Sequence, residues 1–175
     1  DTNSLQARVA FELGRTSQRA SVDRTALETG LVVLEGEHPS PLKLEAVRLM
    51  QLALGDVGPA RSSAPVFDGY TSRLNLLPDQ RVLDPLRVRV ATVYPAGDAL
   101  VDHELARLLA MLGPNTPELL DKLLAKITDD SQPVDDIHQL IVAARIPVAR
   151  DAVQRARIAR ALVGLDAKIE ELGLN

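Results

Sequence analysis

Two short stretches of the sequence place carboxylates directly beside a histidine. In "VDDIHQLIVAARIP", residues 134–147, Asp135 and Asp136 come just before His138, and a similar cluster occurs in "VDHEL", residues 101–105. Carboxylate and imidazole groups bind metal ions and transfer protons in acid–base catalysis. These clusters are therefore either chemical sites or the ordinary starts of helices.

A position at the start of a predicted helix explains Asp135 and Asp136 without a metal. Carboxylates in the first turn are stabilised by the helix macrodipole and by N–H groups that lack an intrahelical acceptor. The same interpretation applies to Asp102 and Glu104 in the other cluster. His138 is predicted to be a hydrogen-bonded residue at the edge of the buried stripe of its helix. That stripe is predicted to comprise Ile137, Leu140, Ile141 and Ala144.

The rival interpretation is a metal-dependent enzyme or a metal-binding helical domain that uses His103, His138 and nearby carboxylates. Metal binding needs ligands that converge from different elements, typically three or four for zinc. The sequence does not show whether the two histidines approach each other. It contains no HExxH motif, no phosphate-binding glycine loop and no G-x-S-x-G nucleophile elbow. We therefore predict a protein that is not an enzyme, with no catalytic residue, no metal and no cofactor.

The composition is that of an ordinary globular protein whose core is aliphatic. Hydrophobic residues make up 46% of the chain and aromatic residues only 2%, which favours packed helices over a large β-sandwich. The net charge of −4 argues against nucleic-acid binding, and no apolar run approaches the ~18 residues that span a bilayer. The absence of cysteine excludes disulfides, thiolate metal sites and covalent c-type haem attachment within this chain.

Apolar residues recur at helical spacing along most of the chain. "HELARLLAMLG" places its leucines on one stripe and ends at Gly113, a residue suited to the left-handed position after a helix. Capping residues precede proline at Ser40-Pro41, Asp84-Pro85 and Thr116-Pro117, and Asp151 is a further predicted cap. The predicted helices cover about 4–13, 22–35, 40–54, 84–93, 99–112, 117–128, 134–145 and 151–172.

The predicted fold is all-α, with antiparallel helix pairs stacked into a HEAT-like α-solenoid. Most connections are short, so that neighbouring helices run in opposite directions, and each pair covers about 30–45 residues. An irregular helical bundle is the alternative. We expect residues 1–175 to form a single domain, and expect it to be a processed protein or part of a longer chain.

Residues 55–78 interrupt this pattern with a long loop that contains Phe67 and Tyr70, half of the aromatic residues. Solvated linkers do not usually concentrate aromatic residues. We predict that the loop is ordered and packs on the helices through these two side chains. Its role is either that of a partner-binding loop or that of a structural crossover between helix pairs.

Three arginines alternate with apolar residues in the last predicted helix. Arg155, Arg157 and Arg160 are interpreted as a solvated flank of that helix, with an anion-binding patch as the alternative.

Four phrases of the sequence resemble helical segments of large bacterial exported proteins: "AVRLMQLALGDVGP", "LDPLRVRV", "DHELARLLAML" and "DDIHQLIVAARIP". That family combines HEAT-like helices with c-type cytochrome modules and often with a propeller related to sugar dehydrogenases. The likeness covers roughly residues 40–175. It implies an extracytoplasmic, periplasmic or exported setting and a scaffold role, with other domains of the parent chain or protein partners as the binding partners. Because the chain lacks C-x-x-C-H, any redox chemistry that the resemblance implies belongs to sequence outside these residues.

Overall fold

The computed structural model describes residues 1–16, 24–56, 65–72 and 80–173. These residues form eight α-helices, one short 3-10 turn at Pro65–Phe67 and no strand, which confirms the predicted all-α class. The helices are α1 (Thr2–Thr16), α2 (Arg24–Glu35), α3 (Ser40–Ala53), α4 (Gln80–Val93), α5 (Ala99–Leu112), α6 (Pro117–Leu124), α7 (Pro133–Arg145) and α8 (Ala152–Glu171).

Local signals fix the ends of several helices. Asp98 caps α5, because its side chain accepts hydrogen bonds from the backbone N–H groups of Leu100 and Val101. Gly113 ends the same helix in the left-handed conformation, at φ 60° and ψ 57°, as predicted. Asp151 caps α8 in a reciprocal capping box with Gln154, which confirms the predicted cap.

α3 and α5 supply much of the core, in which leucine and alanine dominate and Tyr94 is a buried aromatic residue. The leucines of the predicted α5 stripe, Leu105, Leu108, Leu109 and Leu112, are all buried. In α3 the buried residues include Leu42, Ala46, Leu49 and Ala53, which recur at helical spacing.

The helices contact one another mainly as near neighbours in the chain. Consecutive helices pack together in the pairs α2–α3, α4–α5 and α6–α7. In addition, α5 packs against both α3 and α7, while α2 packs on α4 and α6 on α8. α1 lies against α2 and α3, and α8 lies against α6 and α7. The two histidine-bearing helices, α5 and α7, are thus direct neighbours.

The predicted bounds of three helices were wrong: α1 covers Thr2–Thr16 instead of 4–13, and α4 and α6 differ by about one turn. α4 begins at Gln80 rather than at Asp84, so that Pro85 lies inside the helix instead of at its first position. A proline there removes one intrahelical hydrogen bond, which the surrounding turns evidently tolerate. α6 ends at Leu124 rather than at 128, because the last turn tightens: the N–H of Lys126 bonds to the carbonyl of Leu123, three residues back.

The predicted buried stripe of α7 was also wrong. Ile137 is 39% exposed and Ala144 is exposed, whereas Asp136, His138 and Gln139 are buried. The helix is rotated so that Asp136 pairs with Lys168 of α8 and His138 stacks on His103 of α5. Apolar periodicity alone could not predict which face of α7 is buried, because contacts with other helices determine it.

Candidate functional site

The two histidines of the opening clusters meet at the contact between α5 and α7. The rings of His103 and His138 are stacked, with their centroids 3.7 Å apart and their planes inclined by 13°. His138 is 3% exposed, and His103 is partly exposed. The sequence left open whether these residues converge, and the structure shows that they do.

Tyr70, from the inserted loop, completes this cluster. Its hydroxyl lies 2.8 Å from Nδ1 of His138, and the two rings are 5.6 Å apart at 51°. Burial is the main cause that raises the pKa of the Tyr70 hydroxyl, so the phenol stays protonated near neutral pH. The protonated phenol and Nδ1 of His138 share this hydrogen bond, and its direction is set by the tautomer of the imidazole.

The environment of His138 keeps its imidazole neutral. Burial and the adjacent His103 lower the pKa of His138 from 6.5 to about 4, against smaller opposing effects from the His103 backbone and Glu104. Arg107 lowers the pKa further. Nε2 of His138 is buried without a hydrogen-bond partner of good geometry. At neutral pH the imidazole of His138 is thus uncharged.

A second polar network surrounds the stack and is centred on Arg107 of α5. Its Nε donates to the carbonyl of Gly69 at 2.7 Å, and its guanidinium pairs with Asp56 and Glu104. Gln51, which is fully buried in α3, donates to the carboxylate of Glu104 at 2.8 Å. These contacts tie α3 and α5 to the inserted loop.

Residues 65–72 therefore lie against the helices. Gly69 has φ +82°, and a Cβ there would meet Nη2 of Arg107 at 3.1 Å, so both its backbone conformation and its close contact favour glycine. Ser72 donates to the carbonyl of Met111 at 2.7 Å. We call residues 65–72 the strap.

Phe67 is partly exposed in the strap, as Tyr70 is. Its ring lies under the guanidinium of Arg145, 5.7 Å from Cζ to the ring centroid, which is a cation–π distance. Its neighbour Val66 is 57% exposed. Phe67 and Tyr70 thus both contact the helices, and a partner-binding role for them stays a prediction. The rest of the loop, residues 57–64 and 73–78, lies outside the described residues.

Two of the carboxylates beside the histidines, those of Asp136 and Asp102, bind groups outside the first turn of their own helices. The helix-start explanation did not predict these contacts. Asp136 is 1% exposed, pairs with Lys168 of α8 at 2.6 Å and accepts a hydrogen bond from Ser131. Asp102 accepts the backbone N–H of Ala96 at 2.6 Å. The residue pattern gave no signal for the long-range partner Lys168.

The geometry of the stack does not suit a shared metal ion. Imidazole binds a metal through an in-plane nitrogen lone pair. Stacked rings hold those lone pairs in nearly parallel planes, so that they do not point at a common ion. Among the residues that the structure describes, no group of three or more histidine, aspartate or glutamate side chains could hold a metal ion.

A shallow pocket of about 210 Å³ opens beside His103, between α5, α7 and the turn that joins α6 to α7, and Tyr94 and Gln139 form part of its lining. Burial and the nearby Asp102 raise the pKa of Tyr94 to about 12. Gln139 approaches the Tyr94 hydroxyl closely enough to lower that pKa slightly, yet Tyr94 Oη and Gln139 Oε1 make no hydrogen bond of good geometry.

Comparison with models of protein families, with curated proteins and with solved structures finds no match to this chain. No helix among the described residues is long and apolar enough to cross a membrane.

Proposed function

We propose that this chain is a non-catalytic helical-repeat scaffold that positions other domains of a larger protein, or protein partners. The observation that carries this proposal is the order of the helix contacts. α3 packs on α5 and α5 packs on α7, and each of these helices also packs on the helix that precedes it in the chain. Packing between near neighbours in the chain is what a HEAT-like solenoid would require.

The last two helices offer apolar side chains for contact with a partner. Val134 of α7 is 68% exposed, and Val153 and Val163 of α8 are 67% and 78% exposed. In α8, only Gln154 is fully buried. The apolar residues of α8 are thus only partly covered, since Leu162 and Leu172 are about half exposed.

The setting of the scaffold is proposed from the sequence resemblance alone: an exported parent protein with c-type cytochrome modules elsewhere in its chain. The coding sequence on either side of these residues tests this setting. A signal peptide together with C-x-x-C-H motifs would support it, and a parent chain without either would contradict it.

Two measurements test the scaffold role. Small-angle scattering of the isolated chain should give a radius of gyration above the ~16 Å of a compact domain of this length. In the intact parent protein, a photo-crosslinking amino acid at Val134 or Val163 should give cross-links to a defined neighbouring domain or subunit. The same probe at Phe11, which is 68% exposed on α1, serves as the matched control at the other end. A compact scattering profile together with no defined cross-link would overturn the proposal.

A further inference from the structure

A groove of about 300 Å³ runs between α8 and the turn that joins α6 to α7. Its floor includes apolar groups from both sides, among them Leu124 at the end of α6 and Ala161 in α8. Leu124 is 4% exposed, so that it forms part of the core as well as the floor of the groove. A cleft of this size is at the lower end of the range for small-molecule sites.

The charges that line this groove are not balanced internally. Lys168 and Asp136 neutralise each other at 2.6 Å, at the base of the groove. Arg157 and Arg160 also line it, and within the described part of the chain neither makes a hydrogen bond or an ion pair. They are three residues apart on one helix and so lie on the same side of it. Asp129 is the remaining acidic group of the lining, so the groove is locally basic on a chain of net charge −4.

Gly164 opens the middle of the groove. It lies well inside α8, where glycine is less favourable than alanine. A Cβ built at this position would meet no atom within 4 Å. The packing of the chain therefore does not require glycine here. A larger side chain at this position would occupy the open volume of the groove.

We propose that this groove binds a small amphiphilic anion: a carboxylate or phosphate monoester on a short apolar chain. The guanidinium groups of Arg157 and Arg160 donate hydrogen bonds to the anionic oxygens. The apolar chain lies over Gly164, against Ala161 and Leu124. This site is separate from the histidine stack and does not depend on the scaffold role.

The test is an NMR titration of the isotopically labelled chain with hexanoate and with hexyl phosphate. Both should give saturable shifts in residues 124–129 and 157–168, whereas hexan-1-ol and hexylammonium should not. The double variant R157Q/R160Q should weaken binding at least tenfold. Gly164→Leu should block binding while leaving the helix intact. Arg155→Gln is the matched control, because Arg155 donates to the carbonyl of Arg150 and does not line the groove.

Co-sedimentation with phosphatidylglycerol vesicles distinguishes the source of the anion. Vesicle binding that is lost in both Gly164→Leu and R157Q/R160Q would identify a lipid headgroup, and binding of the soluble anions alone would identify a free small molecule. The proposal is overturned if neither soluble anion gives saturable shifts at the groove. It is also overturned if hexan-1-ol binds equally well, or if R157Q/R160Q binds as tightly as the parent sequence.

Discussion

At the scale of single residues, burial controls the chemistry of His138 more than the neighbouring charges do. The imidazole lies between the ring of His103 and the hydroxyl of Tyr70, and its surroundings favour the neutral form.

We expect acid to destabilise the fold through His138. Its pKa is about 4 in the folded chain and about 6.5 when unfolded. Between these pH values the unfolded state binds more protons, so the free energy of unfolding falls as the pH decreases through this window. The loss reaches about 3 kcal/mol at full protonation. Urea unfolding at pH 7 and pH 4 measures it, and in His138→Gln this part of the loss should disappear. Equal losses in both proteins would show that the imidazole titrates alike in the folded and unfolded states.

Gly164 gives a second prediction at this scale. Replacing it with alanine should raise the free energy of unfolding by about 0.8–1 kcal/mol, because alanine favours the helix and the new Cβ meets nothing. Gly30 of α2 is the matched control. A Cβ there would lie 2.8 Å from Sδ of Met50, so Gly30→Ala should destabilise the chain. Thermal unfolding of both variants checks the pair, and a loss of stability in Gly164→Ala would show that the groove is more closely packed than described.

At the scale of elements, side chains far apart in sequence hold the strap and the last helix in place. Arg107 holds the strap by bonding Gly69 while it pairs with Asp56. Lys168 holds α8 by donating to Asp136 and to the backbone carbonyls of Thr128 and Ser131.

Removing the guanidinium of Arg107 should release the strap. In Arg107→Ala, limited proteolysis should cut residues 65–72 several times faster than in the parent chain, with the helices left intact. The carbonyl of Gly69 and the carboxylate of Asp56 would lose the guanidinium that both of them contact. The ordered conformation of the strap would then be less stable relative to its detached conformations. Arg89→Ala is the control, because Arg89 pairs with Glu35 on an exposed surface away from the strap. Equal cleavage rates in the two variants would contradict this role of Arg107.

Breaking the pair between Lys168 and Asp136 should be costly. Asp136 has a side-chain exposure of 2%, and removing one partner of such a buried pair typically costs 3–5 kcal/mol. Lys168→Met keeps the length of the side chain and leaves Asp136 without its cation. Arg24→Met is the control, because its pair with Glu28 is exposed and should be worth less than about 1 kcal/mol. Chemical denaturation compares the two variants, and similar losses would show that burial adds little to the Lys168 pair.

The sequence predicted those parts of the fold whose cause is local. The leucine stripe of α5, its left-handed end at Gly113 and the cap of α8 at Asp151 all depend on residues within one or two turns. The inward face of α7 and the burial of Asp136 depend on Lys168, 32 residues away, and no short-range pattern shows such a partner.

The candidate site could be predicted only in part for the same reason. The sequence singled out His103, His138 and Tyr70, but their convergence follows from how α5 packs on α7 and where the strap crosses them. Arg107 gave only a weak signal, as a basic residue three positions after Glu104 on the polar side of α5.

At the scale of the whole molecule, the contacts between helices predict graded rather than uniform stability. α3 packs against α1, α2 and α5, and α5 packs against α3, α4 and α7, whereas α8 contacts α6 and α7 and buries little of its surface. In the proposed solenoid, stability is close to a sum of local and nearest-neighbour contributions. Hydrogen exchange should therefore be slowest in α3 and α5 and fastest in α8.

Hydrogen exchange in the variant Lys168→Met distinguishes a solenoid from a cooperative bundle. In a solenoid, the lost ion pair weakens α8 and its neighbours α6 and α7, and α1–α3 keep their protection because they can open independently of the distant end. In one cooperative bundle, the same change lowers the protection of the slowest amides in every helix by the full destabilisation. Hydrogen exchange followed by mass spectrometry, with the variant and the parent chain labelled side by side, separates the two cases. Loss of protection in α3 as large as that in α8 would contradict the solenoid, and an unchanged α3 beside a faster α8 would support it.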